Sequence, residues 1–259
     1  MAPPPKFEVN RIPSVPHPGP PPIPEQQIIQ KFAANEDGMK KAYAAYNFTQ
    51  TIRIEELGDP GGKLTVTGET YVKPDGQRYW RTTKPMNSDL KSIYLTLDDI
   101  HTIASLPEFV LTTDEIGNYN FLYAGEDKLD ELTTYVFQVK PKQLNRTRRF
   151  FDGVIWVDDH DLTIVKMYGK FVSELAGNGT KLPFSMFETY RENFQEKYWL
   201  PTYTNSDDFQ SASNSDPTHL RLVIHSTDFI LNTSAAPASP ETTAPRKALP
   251  SPSSPDPPK

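Results

Sequence analysis

The chain has 259 residues, with 27 Lys and Arg, 33 Asp and Glu, a net charge of −6 and no cysteine. This balance argues against a general nucleic-acid binder, which would present a basic face, and the lack of cysteine excludes disulfides, thiol catalysis and thiolate metal sites. No run of 18 apolar residues occurs, which excludes a membrane-spanning helix, and no secretory signal is visible, so an exported protein would be represented here by its mature or trimmed form.

Proline divides the chain into three parts. Ten of the 26 prolines lie in residues 1–24 and eight in residues 235–259, and both flanks contain hardly any large apolar residue. Such segments cannot bury enough surface to offset chain entropy, so we expect disordered proline-rich segments at 1–23 and 233–259. The remaining residues, 24–232, suit a single folded domain of roughly 200 residues.

The first predicted element is a helix over Ile23–Tyr46, because apolar residues recur there at spacings of three and four. They are Ile28, Ile29, Phe32, Met39, Tyr43 and Tyr46. Asn35, Asp37 and Gly38 interrupt this stripe, so the sequence predicts a break in the helix.

Short strands follow, with apolar and polar residues alternating as in a half-buried sheet. In the first, Tyr46, Phe48, Gln50, Ile52 and Ile54 occupy one face. Ten or eleven antiparallel strands, mostly joined as hairpins, are predicted. Besides Tyr46–Glu55 they cover Leu64–Lys73, Gln77–Lys84, Leu90–Leu97, Tyr119–Gly125, Leu132–Lys140, Arg148–Asp158, Leu162–Glu174, Phe184–Glu192, Tyr198–Asn205 and Leu220–Leu231. A turn is expected at Pro74-Asp75-Gly76, and a short helix that Asp98 or Asp99 caps and Pro107 ends.

Several strands carry apolar residues on both faces, for example Phe150 beside Phe151 and Trp156 between Ile155 and Val157. A sheet that covers the core with one face only would not show this pattern. It indicates a curved sheet with one face packed on the helices and a further region lined by partly exposed aromatic residues. A plain two-layer sandwich is the alternative.

Phe48-Thr-Gln50, Arg78-Tyr-Trp80, Phe151-Asp-Gly153 and Tyr198-Trp199-Leu-Pro201 resemble motifs of the LolA/LolB-like outer-membrane lipoprotein-sorting carriers. The resemblance implies a mainly β fold: an incomplete antiparallel β-barrel, or half-pipe, whose open side is covered by N-terminal and short internal helices. It also implies a periplasmic carrier or chaperone that holds the acyl chains of lipoproteins or similar amphiphiles, with an inner-membrane donor and an outer-membrane acceptor as possible partners.

The apolar alternation class of each strand supplies the candidate lining of the hollow, and plain core packing is the alternative for each residue. The candidates are Ile52, Val66, Trp80, Leu95, Phe121, Val136, Trp156, Met167 and Met186. To these the resemblance adds Arg78, whose guanidinium could hold a carbonyl or a lid group at the mouth of the cavity.

No cofactor, metal site or catalytic residue is predicted. Asp158, Asp159, His160 and Asp161 form the one dense cluster of potential metal ligands, but they lie where a hairpin must turn, which is the reading we favour. Two other functions remain as alternatives: an envelope sensory or structural module that uses its proline-rich tails, and, less favoured, a hydrolase on the same scaffold.

Overall fold

The computed structural model describes residues 16–17, 19–72, 78–146, 148–174, 184–210 and 218–232. Its helical elements are α1 (Glu25–Ala45), α2 (Leu97–Ala104), a 3-10 turn (Leu106–Glu108) and α3 (Thr113–Ile116). Its strands are β1 (Tyr46–Leu57), β2 (Lys63–Val72), β3 (Arg78–Thr82), β4 (Tyr119–Leu129), β5 (Leu132–Pro141), β6 (Phe150–Asp158), β7 (Ile164–Val172), β8 (Met186–Phe194), β9 (Tyr198–Gln210) and β10 (Thr218–Leu231). Most of the two predicted disordered flanks and the predicted turn at residues 74–76 lie outside the described residues.

All ten described strands belong to one antiparallel sheet, in the order β3-β2-β1-β10-β9-β8-β7-β6-β5-β4. The first and last strands, β1 and β10, pair at the centre of one half of the sheet. Within the described residues the edge strands β3 and β4 do not pair with each other, so the sheet is an open half-barrel. This confirms the predicted mainly β half-pipe, and the alternative of a two-layer sandwich is wrong.

The helices cover one face of the sheet, which we call the inner face; the opposite face is the outer face. Ile28 and Phe32 of α1 and Ile100 and Ile103 of α2 are almost completely buried and share one hydrophobic cluster with the inner-face residues of both halves of the sheet. The Phe32 ring lies edge-on to Phe121, with the ring centroids 5.7 Å apart. The core therefore lies between helices and sheet.

Helix α1 runs through Asn35, Glu36 and Asp37 without the predicted break. Each of these polar side chains has a tertiary partner. The Asn35 amide donates to the Asp161 and Leu162 carbonyls at 2.9 Å, and the Thr113 hydroxyl donates to the Asp37 carboxylate at 2.7 Å. The prediction was wrong because these residues fasten the helix to its neighbours and do not end it.

The predicted strand at Leu90–Leu97 is also wrong, because the carboxylate of Glu56 at the end of β1 takes the hydrogen bonds that a strand would need. It accepts from the backbone N–H of Lys91 at 2.8 Å and from both the backbone N–H and the hydroxyl of Ser92 at 2.5 and 2.6 Å. The Gly62 N–H donates to the same carboxylate at 2.8 Å, and a Cβ at Gly62 would lie 2.3 Å from the Asp89 carbonyl oxygen. Residues 88–92 therefore wrap around Glu56.

The predicted short helix is present as α2, and its cap differs in detail. Thr96 is the N-cap, and it forms a capping box with Asp99, whose carboxylate accepts the Thr96 backbone N–H at 2.8 Å. Hydrogen bonds from Thr96 hold the pKa of Asp99 below its usual range. Among the residues that the structure describes, no helix is long and apolar enough to cross a membrane.

Candidate functional site

A cavity of about 150 Å³ lies on the inner face, between the strands β1, β2 and β3 and the helical segment of α2 and the 3-10 turn. Its walls combine aromatic, polar and charged side chains. They are Phe48, Gln50, Thr70, Arg78, Trp80, His101, Ala104, Ser105 and Glu108. An engineered apolar cavity of this volume admits a ligand the size of benzene, so the space is large enough for part of a small molecule.

Of the ten residues that the sequence predicts for the lining, Arg78 and Trp80 border this cavity. Five others lie in or against the main core on the inner face, where they pack with the helices and with one another. They are Ile52, Val66, Leu95, Phe121 and Met167. These five have the surroundings that plain core packing predicts.

The remaining three candidates, Val136, Trp156 and Met186, lie on the outer face. Their strand neighbours Phe137, Ile155 and Phe187 belong to the main core. Because successive side chains of a strand point to opposite faces of the sheet, the three candidates point away from that core. Val136 and Trp156 pack in a separate cluster with Val165. The structure therefore separates these three from the cavity. The sequence does not distinguish the two faces here because both are apolar.

Gln50 was not among the predicted site residues, although the sequence holds a signal for it. It lies between Phe48 and Ile52 on the buried face of β1, and it is 1% exposed. Its amide donates to the Ala104 carbonyl at the end of α2 over 3.1 Å. Its Oε1 is buried and has no hydrogen-bond partner among the described residues.

Trp80 closes the cavity on the β3 side. Its indole ring lies over Gly68, where a Cβ would come within 2.3 Å of the ring, so only glycine leaves room for it. His101 of α2 contacts the ring edge-on, at a centroid distance of 5.3 Å. The indole Nε1 is buried, and in the part of the chain that the structure describes no acceptor meets it.

Arg78 connects β3 to both helices. Its Nη2 donates to the Tyr43 carbonyl of α1, its Nη1 lies 3.6 Å from a Glu108 carboxylate oxygen, and its guanidinium stands 4.3 Å from the centroid of the Tyr43 ring. Burial raises the pKa of Glu108, and the nearby Arg78 opposes that shift. Burial also raises the pKa of the Tyr43 hydroxyl. The carbonyl that Arg78 contacts in the structure therefore belongs to the covering helix α1.

A second ionic contact holds the other half of the helical cover. Glu36 of α1 and Arg191 of β8 are both completely buried and form a two-pronged pair, with Arg191 Nη2 3.0 Å from Glu36 Oε2. Arg191 also donates to the carbonyls of Ile164 and Phe109, and Glu36 accepts the Leu111 N–H at 3.3 Å. We call this group the α1 clamp. It fixes α1 to the sheet and to the segment that precedes α3.

The outer face carries a partly buried cation among aromatic rings. Lys166 Nζ lies 2.6 Å from a Glu188 carboxylate oxygen and 4.5 and 4.9 Å from the ring centroids of Trp156 and Tyr190. The Trp156 indole N–H donates to Asp127 at 3.0 Å. Burial raises the pKa of the Tyr190 hydroxyl, and the Glu188 charge adds to that shift. This network satisfies its own charges and stabilises the sheet.

Asp158, His160 and Asp161, which bring three potential metal ligands within 4.8 Å of one another, sit in the β6–β7 turn. Asp158 accepts the backbone N–H groups of His160 and Asp161 at 3.2 and 2.7 Å, as expected of a turn-forming aspartate. The Asp161 carboxylate raises the pKa of the exposed His160. The turn that the sequence predicts at this point is present.

No family model and no curated protein sequence matches this chain. Solved structures do. A LolA superfamily protein from Nitrosomonas europaea is similar over 81% of this chain and 94% of its own, at 15% identity and a TM-score of 0.37. A putative outer membrane lipoprotein-sorting protein domain from Vibrio parahaemolyticus is similar over 76% and 91%, at 13% identity and a TM-score of 0.41. A DUF1329 family protein from Desulfovibrio piger is similar over 80% and 93%, at 11% identity and a TM-score of 0.37.

Proposed function

We propose that this protein binds the acyl chain of a lipoprotein or of a similar amphiphile between the inner face of the half-barrel and α2, and that it acts as a periplasmic carrier or chaperone. The observation that carries the proposal is the cavity beside Gln50 and Trp80, at a place where α2 is held to the sheet by few polar contacts. The proposal assigns no catalytic role to any residue. Membrane proteins that deliver and receive the ligand would be its partners.

The cavity alone is too small for a full acyl chain, because its volume of about 150 Å³ suits a ligand the size of benzene. We therefore infer that α2 takes a more open position in the ligand-bound protein. Apolar surface is buried between α2 and the sheet: Ile52 and Val66 of the sheet share one hydrophobic cluster with Ile100 and Ile103 of the helix, and all four are 2% exposed or less. If α2 moves aside, a hydrocarbon chain can take its place on this surface, at a gain of about 0.8 kcal/mol per buried CH₂ group.

The contacts that hold α2 and the adjoining turn can be released without unfolding the sheet. They include the Gln50 amide on the Ala104 carbonyl and the Arg78 guanidinium beside the partly exposed Glu108. We call these two contacts the α2 latch. A helix of eight residues on such a latch suits a lid, since ligand-binding lids come from the less stable parts of a structure.

Titration with a fluorescent fatty acid tests the proposal, and mass spectrometry under native conditions tests for co-purified lipid. The wild-type protein is expected to bind the probe with saturation. Arg78→Met removes the ionic half of the latch but keeps an apolar chain of similar length, so it is expected to speed probe entry. Arg53→Met is the matched control, because Arg53 lies on β1 of the same sheet and pairs with Glu55 on the surface. Absence of probe binding and of co-purified lipid would overturn the proposal.

A further inference from the structure

Residues on the wall of the cavity leave three buried polar atoms without a partner within the described residues, Gln50 Oε1, Trp80 Nε1 and Arg78 Nε, and the first two are of opposite kind. Gln50 Oε1 is a hydrogen-bond acceptor and Trp80 Nε1 is a donor. Both residues border the same cavity. A buried polar atom without a partner costs free energy, so each atom is a place where a ligand can supply the missing hydrogen bond.

The sheet brings the two residues to the same part of the inner face. Gly68 of β2 is the cross-strand neighbour of Gln50, and the Trp80 ring leans over Gly68 from β3. The indole Nε1 lies 2.7 Å from the point that a Cβ of residue 68 would occupy. Directly opposed residues have Cβ positions about 5 Å apart, so the indole and the Gln50 side chain lie on the same face of neighbouring strands. Because both residues border one cavity, a ligand that lies between them can reach both atoms.

The charges around the cavity select an uncharged group. The Gln50 carbonyl oxygen and the Glu108 carboxylate disfavour an anion. Arg78, which already contacts Glu108 and the Tyr43 carbonyl, disfavours a cation. The group must also present an acceptor to the indole N–H and a donor to Gln50 Oε1. A secondary amide carries a carbonyl and an N–H that point in opposite directions, so one that lies between the two residues meets both requirements; an ester has only the acceptor.

We propose that Gln50 and Trp80 form a subsite for the secondary amide that joins an acyl chain to an amine, with the hydrocarbon part lying beneath α2. The inference rests on the proposed function and adds a preference to it: amide-linked acyl chains are bound in preference to ester-linked ones. An acyl group on the amine of a peptide has this linkage, whereas the fatty acid of a glycerolipid is held as an ester.

Three probes of equal chain length test the preference: N-methyldodecanamide, N,N-dimethyldodecanamide and methyl dodecanoate. Their competition against the fluorescent dye N-phenylnaphthylamine gives three dissociation constants. All three offer a carbonyl, and only the first has an N–H. Because one additional neutral hydrogen bond to a buried acceptor is involved, the first probe is expected to bind the wild-type protein roughly five- to tenfold more tightly than the other two.

Two variants assign the effect to the two residues. Gln50→Leu removes the acceptor and is expected to abolish the preference for the N–H probe. Trp80→Phe removes the donor and keeps a ring over Gly68, so it is expected to weaken all three probes alike and to preserve the preference. The wild-type comparison stands by itself if either variant fails to fold.

The outcomes separate the subsite from the proposed function. If the dye and all three probes bind and the three constants agree within twofold, the amide subsite is wrong and the binding of acyl chains stands. If the N–H probe is preferred and Gln50→Leu keeps that preference, the subsite lies elsewhere and this assignment is wrong. If neither dye nor probe binds, the proposed function fails, and the subsite fails with it.

Discussion

The two parts of the helical cover are attached to the same sheet in different ways. At the α1 clamp, the pair of Glu36 and Arg191 is completely buried and is supported by further hydrogen bonds to the backbone on both sides. At the α2 latch, Gln50 and Arg78 make fewer contacts, Glu108 is 42% exposed, and a cavity with unpartnered polar atoms lies alongside. The clamp leaves one buried nitrogen, Arg191 Nε, without a partner among the described residues, whereas Gln50 Oε1, Arg78 Nε and Trp80 Nε1 all lack one at the latch and its cavity.

The difference indicates which part of the cover can move. A completely buried ion pair is costly to break, because each charge would remain in an apolar surrounding. A partly exposed contact can exchange its partner for water at small cost. We therefore expect α1 to stay with the sheet while α2 opens, and each prediction below concerns one side of this comparison.

The largest effect is expected at the α1 clamp. Arg191→Leu leaves the Glu36 carboxylate buried without its cation, and breaking a buried pair in this way costs about 3–5 kcal/mol of the free energy of unfolding. Denaturant titration of the wild-type protein and of Arg191→Leu measures this loss in the free energy of unfolding. Arg53→Leu is the matched control, since its pair with Glu55 is exposed and is worth at most about 1 kcal/mol.

A double variant shows that the loss comes from the stranded charge. Glu36→Leu combined with Arg191→Leu removes both charges, so it is expected to recover most of the stability that Arg191→Leu loses. A double variant as unstable as Arg191→Leu would mean that the side chains matter through their packing. In that case the contrast between clamp and latch would not be electrostatic.

A smaller loss of stability is expected at Glu56, which holds the segment that leads into α2. Glu56→Gln replaces a carboxylate that accepts hydrogen bonds from Gly62, Lys91 and Ser92, and hydrogen bonds to a charged group are worth about 1.5–3 kcal/mol. We expect a loss of about 2 kcal/mol together with faster binding of a fatty-acid probe. Glu55→Gln, on the exposed side of the same strand, should change neither quantity.

The same carboxylate gives a pH dependence. Burial raises the pKa of Glu56, but hydrogen bonds from Ser92, Lys91 and Gly62 outweigh it and leave the pKa below its usual value. A carboxyl with a lowered pKa in the folded state stabilises the fold above its unfolded pKa, and this stabilisation is lost as pH falls through the folded pKa. The stability difference between wild type and Glu56→Gln should therefore shrink on acidification below pH 4. A constant difference would contradict this assignment.

The errors of the sequence-based predictions have a common physical cause. Alternation of apolar and polar residues identified the strands, because their side-chain period follows from local geometry. The break expected in α1 and the strand expected at residues 90–97 were wrong, since Asn35 and Glu56 bind backbone groups that are distant in sequence. Such contacts are decided by tertiary structure, and no local pattern reveals them.

The cavity was accessible from the sequence only in part. Arg78 was proposed through the resemblance and Trp80 through the alternation of its strand, whereas Gln50 could have been found as a polar residue between apolar residues on one face of β1. His101 gave no such signal, because it reaches Trp80 only after α2 has packed on the sheet. Strand pairing indicates which residues of adjacent strands lie next to each other. The contacts of α2 with the sheet follow only from the tertiary structure.

The smallest effect is expected at the N-terminus of α2. Thr96→Ala removes the side chain that accepts the Asp99 N–H and also donates to the Asp99 carboxylate, and loss of such an N-cap costs about 1 kcal/mol. Hydrogen exchange of the amides of residues 100–104 should accelerate, while exchange in α1 stays unchanged. Thr102→Ala lies in the same helix outside the cap and should not accelerate exchange, because alanine is the better helix former. If both helices exchanged faster in Thr96→Ala, the cover would open as one piece, and α2 could not serve as a separate lid.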